Sequence, residues 1–265
     1  MTSGRQLLAD ALTSCKLLRV WKFLGIQDIK TRFRRSLLGP LWILLNLGIF
    51  VGGAGFVYGV MFGQPMGEFL PFLITGFVIW GFLLSSFTDA GNAFVSAEGY
   101  IKQFSYPKQI YLLRALVTYS IIMLIGFCAV VLMQVALGRF DVAGWLITIP
   151  GLALLLVAAL AHITIAAYLG TRFRDWPHAL AGILQVVFFV TPIMFPIKML
   201  QEKHLDFVYR YNPLYYLIDV VRHPILTGNF APPENYAFAL LYIVIAWAAA
   251  IAIARKLDNR LVFLL

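Results

Sequence analysis

KMLQEKHLDFVYRYNPLYYLIDVVRHPILTGNFAPP, residues 198–233, suits neither water nor lipid. Its middle carries Tyr209, Tyr211, Leu214, Tyr215, Tyr216, Leu217, Ile218, Val220, Val221, Ile225 and Leu226, apolar surface that is costly to leave in water. Lys203, Asp206, Arg210, Asp219 and Arg222 stand among them, and these charges are costly to leave in hydrocarbon. The apolar stretch 214–221 is too short to cross a bilayer core of about 30 Å, which takes roughly 20 helical residues. Pro213 and Pro224 are expected to bracket one short helix, with Gly228 as a later stop. Two placements remain open. One is a pair of short helices that dip back into the membrane and are buried against protein, as irregular backbone at that depth must be. The other is an amphipathic helix resting on the membrane surface. Asp219 and Arg222, three residues apart on such a helix, would form a local ion pair, and a partly buried pair would hold the element closed.

The surroundings of this stretch define the class. The chain is 61% hydrophobic and 12% charged, against roughly a quarter charged in soluble domains, so an all-α integral membrane protein is expected. Six runs free of Asp, Glu, Lys and Arg are long enough to span: 37–62, 69–88, 115–137, 142–171, 179–197 and 236–254. They form a single domain with an arm at 1–36, a six-span bundle at 37–256 and a tail at 257–265. If the N-terminus is inside, 16 of the 21 Lys and Arg fall inside and 5 outside, so both termini are expected in the cytoplasm. The net charge of +9 is then mainly a topology signal, with a lesser contribution from anionic lipid or an acidic partner, and it does not imply nucleic acid. The start, MTSGRQLLADALTSCKLLRV, has neither the apolar core nor the cleavage site of a secretory signal, so the first apolar run is expected to direct insertion. The two cysteines, Cys15 and Cys128, are expected to form no disulfide and have no metal-ligand spacing.

Two basic segments precede spans. In the arm, Leu17, Trp21 and Leu24 recur on one helical side and Ile29 and Phe33 follow after a longer step. Lys16, Arg19, Lys22, Lys30, Arg32, Arg34 and Arg35 fill the remainder, as on a helix lying along the membrane surface. A collar for a soluble partner fits the same pattern. In the segment 89–114, residues 92–103 are expected to form a short helix, with Pro107 turning the chain into the next span. Phe94, Val95, Tyr100, Ile101 and Phe104 give it an apolar side, to be covered by a partner or by the bundle itself.

Catalytic and energy-coupling chemistry is sparse. There is no G-x-x-x-x-G-K-[ST] phosphate cradle and no nucleophile elbow, and the acidic residues are scattered over different loops. A proton- or sodium-driven carrier usually needs ionisable groups at mid-membrane, and the six runs offer only His162. A neutral imidazole bonded to a neighbouring helix is the favoured reading of it. An all-helical conduit without its own motor remains, neither an enzyme nor an ion-driven carrier. Aromatic residues such as Phe56, Tyr58, Phe62 and Phe195 usually belong to packing or interfacial belts. If they line a path, their flat faces suit sugar rings.

Four separated stretches resemble one family. DIKTRFRRSLLGPLW (28–42), EGYIKQFSYPKQI (98–110), GTRFRDWPHALAGILQVVFFVTPIMFP (170–196) and YNPLYYLIDVVRHPILTG (211–228) are similar to the ABC-2 type permeases that export bacterial cell-surface polysaccharides, and the match runs the length of the chain. The resemblance implies a homodimeric channel for a lipid-linked polysaccharide, O-antigen above capsule or teichoic acid, in the bacterial inner membrane. It implies two copies of a separate ABC ATPase that bind the ATP and Mg, with no cofactor in this chain. It makes Asn92, Val95, Ser96, Glu98, Tyr100, Ile101, Lys102 and Gln103 a coupling helix on that ATPase, and Trp21, Asp28, Lys30, Arg32, Arg34 and Arg35 part of an interface helix. Residues 198–233 become an external gate with Asn212, Pro213, Tyr215, Tyr216, Asp219 and Arg222. A permease of the same family for a drug or simple lipid is the alternative, and a membrane enzyme of glycan assembly is disfavoured. Two departures stand out. RKLDNRLVFLL ends the chain in an apolar tail where relatives carry a basic-aromatic stub, and Gln27 precedes Asp28 where relatives often carry Arg.

Overall fold

A computed structural model describes residues 4–104 and 106–265, so the first three residues of the arm lie outside it. The described residues form helices α1 (Gly4–Lys16), α2 (Leu18–Arg32), α3 (Leu41–Phe62), α4 (Met66–Phe87), α5 (Glu98–Gln103), α6 (Gln109–Ala136) and α7 (Val142–Ile147). They continue as α8 (Ile149–Arg172), α9 (Trp176–Val190), α10 (Ile197–Glu202), α11 (Phe207–Arg210), α12 (Pro213–Thr227), α13 (Pro233–Leu257) and α14 (Leu261–Leu264). Among the described residues, five helical stretches are long and apolar enough to cross a membrane: Leu41–Phe62, Met66–Asn92, Gln109–Ala136, Val142–Arg172 and Pro233–Leu264. The first four alternate in direction, and α13 runs parallel to α8, with Asp258 at its end meeting Tyr168 near the end of α8. The arm, the start of α6 and the end of α13 therefore share one end of the bundle, called here the arm end, and α12 lies at the far end.

The run 179–197 does not form the continuous span expected of it. Its helix, α9, has 15 residues and ends at Val190, and Thr191 is extended with ψ 133°. Fifteen residues rise about 22 Å, short of a bilayer core of about 30 Å. Pro192 disfavours the helical conformation at Thr191 and has no N–H to donate, and Pro196 repeats the interruption four residues later. At α12 the correction runs the other way. The helix continues through Pro224 to Thr227 and stops at Gly228, whose φ of 70° lies in the left-handed region that glycine adopts freely.

The helix α8 holds the bundle together, packing on α4, α6, α12 and α13 and on the turn after α4. At both of its ends the contact is backbone to backbone. A methyl group on Gly170 would collide with the main chain of Gly91, and one on Gly151 with the carbonyl of Val220 in α12. Glycine at these positions lets main chains meet where any side chain would hold them apart. Between them the core is aliphatic and aromatic, with Leu155, Ile163 and Tyr168 of α8 against Leu73, Ile79 and Leu83 of α4. His162 bridges Ser86 through Nδ1 (3.3 Å) and the Tyr242 hydroxyl through Nε2 (2.7 Å), with the Phe87 ring stacked on it at 3.9 Å. The imidazole is thus spent on helix-to-helix bonds, as the sequence suggests.

The apolar tail also finds a place. Leu257 and Leu261 are buried and α14 packs on α8, so the departure at the C-terminus is a folded element. Gly170→Ala is expected to lower stability by about 1–3 kcal/mol, as overpacking of a close contact does. Gly182→Ala, which meets open space within α9, should instead raise it by up to about 1 kcal/mol. Thermal unfolding of the detergent-purified protein reads both.

Candidate functional site

At the arm end, residues 89–103 are not one helix. Two 3₁₀ turns, Asp89–Asn92 and Val95–Ala97, lead into the six-residue α5. The segment is divided between bundle and solvent. Ala93, Phe94 and Ala97 are buried, with Phe94 meeting the Tyr168 ring edge-on at 5.0 Å, and Val95 and Ile101 are partly covered. Asn92, Ser96, Tyr100, Lys102 and Gln103 face outward. Tyr100, Phe104 and Tyr106, each about half exposed, follow one another with ring centroids 6.3 Å and 6.1 Å apart. Lys102 donates to Glu98 at 2.6 Å across one helical turn. This bond holds the Glu98 carboxyl below the usual carboxylate range, so the link is fully formed at neutral pH and is lost only on acidification through and below that range.

The floor of this segment is built from the tail. Lys108 reaches the Asp258 carboxylate at 3.2 Å and its backbone carbonyl at 2.7 Å, and the Tyr168 hydroxyl donates to the same carboxylate at 2.8 Å. The turn that follows α5 is thereby tied to α8 and to the end of α13.

The arm is two helices broken at Leu17, and α2 lies against α6 rather than alone on a surface. Gly25 meets Val117 closely enough that a methyl group there would clash. Asp28 accepts two bonds from Arg114, at 2.7 and 2.6 Å, and one from Thr118 at 3.2 Å. Its carboxylate is therefore engaged inside the chain, not free for a partner or headgroup. Trp21 donates to the Ser14 carbonyl at 3.1 Å and joins the two arm helices. Lys30, Arg32, Arg34 and Arg35 are exposed. Arg114 was not singled out by the sequence, although a lone Arg on the edge of an apolar run is a sign of a buried partner.

At the far end α12 is enclosed by α4, α7, α8 and α13, and its residues from Leu214 to Arg222 are all buried. Asn212 caps it by accepting from the Leu214 N–H, and its amide donates to Thr191 at 2.7 Å. Arg222, 2% exposed, donates to the Pro192 carbonyl at 2.8 Å and lies over the Phe72 ring at 4.1 Å. Asp219 stands 4.0 Å from it, at the outer limit of an ion pair, and accepts from Asn235 at 2.8 Å. The local pair expected from spacing is thus the weaker part of a network that holds the broken end of α9. Tyr215 and Tyr216 are buried within the chain, and Tyr216 bonds the Arg210 carbonyl and stacks on Phe238. Pro213 alone of the expected gate residues is exposed. Of the aromatic residues considered for a path, Phe56 is 68% exposed on α3, Tyr58 and Phe62 pair with each other at 5.6 Å, and Phe195 is partly buried.

Residues 19–226 match the family described as ABC-2 type transporter. The chain belongs to the ABC-2 type transporter family. The matched region runs from α2 to α12 and takes in the turns before α5, the broken α9 and the buried α12. This ABC-2 chain is 26% identical over 238 residues to the O-antigen export system permease protein RfbA of Klebsiella pneumoniae, covering 88% of this chain and 90% of that one. It is 23% identical to the Myxococcus xanthus protein of the same description, over 84% and 87% of the two chains. With the polysialic acid transport protein KpsM of Escherichia coli it shares 21% identity, over 89% and 92%.

Asp28→Asn and Arg114→Gln are each expected to cost about 1–3 kcal/mol, because each leaves a partly buried partner unpaired. The double variant should cost less than the sum, which a thermodynamic cycle on the purified protein measures. Arg222→Met is expected to release the 191–212 stretch from α12. Faster tryptic cleavage after the exposed Lys198 and Lys203 would register the release.

Proposed function

We propose that this chain is the membrane subunit of an ATP-driven exporter that moves a lipid-linked cell-surface polysaccharide, O-antigen in class, across the bacterial inner membrane. The observation that carries the reading is the end-to-end similarity to O-antigen and polysialic acid permeases within the ABC-2 family. The channel forms between two copies of the chain, and two copies of a separate ATPase bind ATP and Mg on the side of the arm. The bias of Lys and Arg supports a cytoplasmic arm end, and with it cytoplasmic termini. The sixth crossing is completed by α9 together with the turn and bends of residues 191–196. Its polar backbone then lies at membrane depth, where protein partners must satisfy it, and α12 is the re-entrant element that does so.

Each end then has a role. Tyr100, Ile101 and Lys102 on α5 meet the ATPase, and Phe94 passes a push to Tyr168 on α8. The same helix touches α12 through Gly151, so closure of the ATPases shifts the far end. Asn212, Pro213, Tyr215, Tyr216, Asp219 and Arg222 set the position of that gate from within. The exposed Lys30, Arg32, Arg34 and Arg35 of the arm face headgroups or the ATPase edge, and Phe56, on the open side of α3, faces the path.

Depletion in the native cell, with labelling of glycan on intact and opened cells, tests the cargo. Internal accumulation with loss from the surface is the expected result. Normal surface glycan with no internal pool would turn the reading to a drug or simple lipid moved by the same family. In the same assay, alanine at Tyr100, Ile101 and Lys102 together should abolish export while the complex still assembles, and unchanged export would remove α5 from the coupling role.

A further inference from the structure

A groove of about 290 Å³ opens at the arm end between α1, α6, α8 and α13. None of its lining comes from α3, α5 or α12, so it is separate from the coupling and gate segments. It is graded in polarity. Its deep end is walled by Leu160, Trp247 and Ile251, and its shallow end by Gln109, Tyr168 and Arg255. Trp247 and Arg255 lie about 12 Å apart along α13, most of the hydrocarbon depth of one leaflet.

The polar groups in the groove divide into spent and unspent. Trp247 donates to the Val157 carbonyl, Thr164 to the Leu160 carbonyl and Tyr168 to Asp258. The buried Gln109 Oε1 has no hydrogen-bond partner, and Arg255 forms no ion pair or hydrogen bond among the described residues. An unsatisfied buried acceptor is costly unless a ligand supplies a donor, and the exposed Arg255 at the rim leaves its guanidinium free to pair with an anion. Both unspent groups stand at the shallow end, where a lipid headgroup sits when its chain points into the membrane. Lys16, which ends α1, and Lys256 add positive charge at the same end of the bundle.

We infer that the groove holds one acyl chain of a resident anionic phospholipid, with its phosphate paired to Arg255 and a headgroup hydroxyl donating to Gln109. The lipid lies beneath α1 and seats that helix on the bundle. The inference needs the chain to span a membrane and does not depend on which cargo it moves.

Native mass spectrometry of the complex with its ATPase, in mild detergent with equal phosphatidylglycerol and phosphatidylethanolamine, tests it. Phosphatidylglycerol should be retained in preference, and Arg255→Gln should reduce that preference by about fivefold, the effect of one cation near a charged headgroup. Ile251→Trp and Leu8→Trp, which fill the groove from exposed positions, should reduce retention of both lipids. Arg260→Gln, at the same end but outside the lining, should change nothing. Unchanged retention in the Arg255 variant and both tryptophan variants would overturn the inference. Recovery of an isoprenoid-linked glycan in place of phospholipid would overturn it too, by making the groove a cargo site.

Discussion

A helix that stops against packed protein leaves carbonyl and N–H groups with no water to bond, and the far end of this protein is arranged around that constraint. The chain breaks at Thr191 and Pro192, and α12 supplies the partners: Asn212 bonds the threonine hydroxyl and Arg222 the proline carbonyl. An arginine can do this from a buried position only if its own charge is accommodated, which Phe72 and Asp219 provide, while Asn235 fixes Asp219. Asp219 and Arg222, two of the charges in a stretch suited to neither water nor lipid, are thus explained together. They satisfy a broken backbone, and the apolar residues between them cover the result.

The arm end is built on a different principle. Its segment 89–103 is irregular, with six residues of α-helix and two 3₁₀ turns, yet it is seated on close backbone contact and on one buried ring, Phe94. The short α5 follows this seat with no buried residue of its own, and Tyr100 and Phe104 stand about half exposed. The helix α8 meets this seat at one end and α12 at the other, which leaves little soft packing between the two ends of the molecule.

How much of this was legible in the sequence depended on the period of the pattern. Four long spans follow from uninterrupted apolar length, and the fourth run, 142–171, also proved long enough although it breaks at Thr148 into α7 and α8. The run 179–197 looked equally apolar, and only Pro192 and Pro196 told against a continuous helix. Pro224 misled in the opposite sense, because packing on α7 and α8 holds α12 together past a residue that would end an isolated helix. Asp28 was recognised, but its partner was not. Arg114 lies 86 positions away, and no local spacing reports a contact of that range. The resemblance makes Tyr215 and Tyr216 part of a gate but does not give the direction a ring points, which neighbours such as Phe238 and Arg210 decide.

The bond between Lys108 and Asp258 joins residues 150 positions apart, and it bears on the order in which the protein is made. Domains and segments fold from the N-terminus as synthesis proceeds. The turn carrying α5 emerges early, but its anchoring lysine has no carboxylate to meet until α13 has been synthesised and inserted. The tie between this turn and the end of α13 is therefore among the last contacts of the bundle to form.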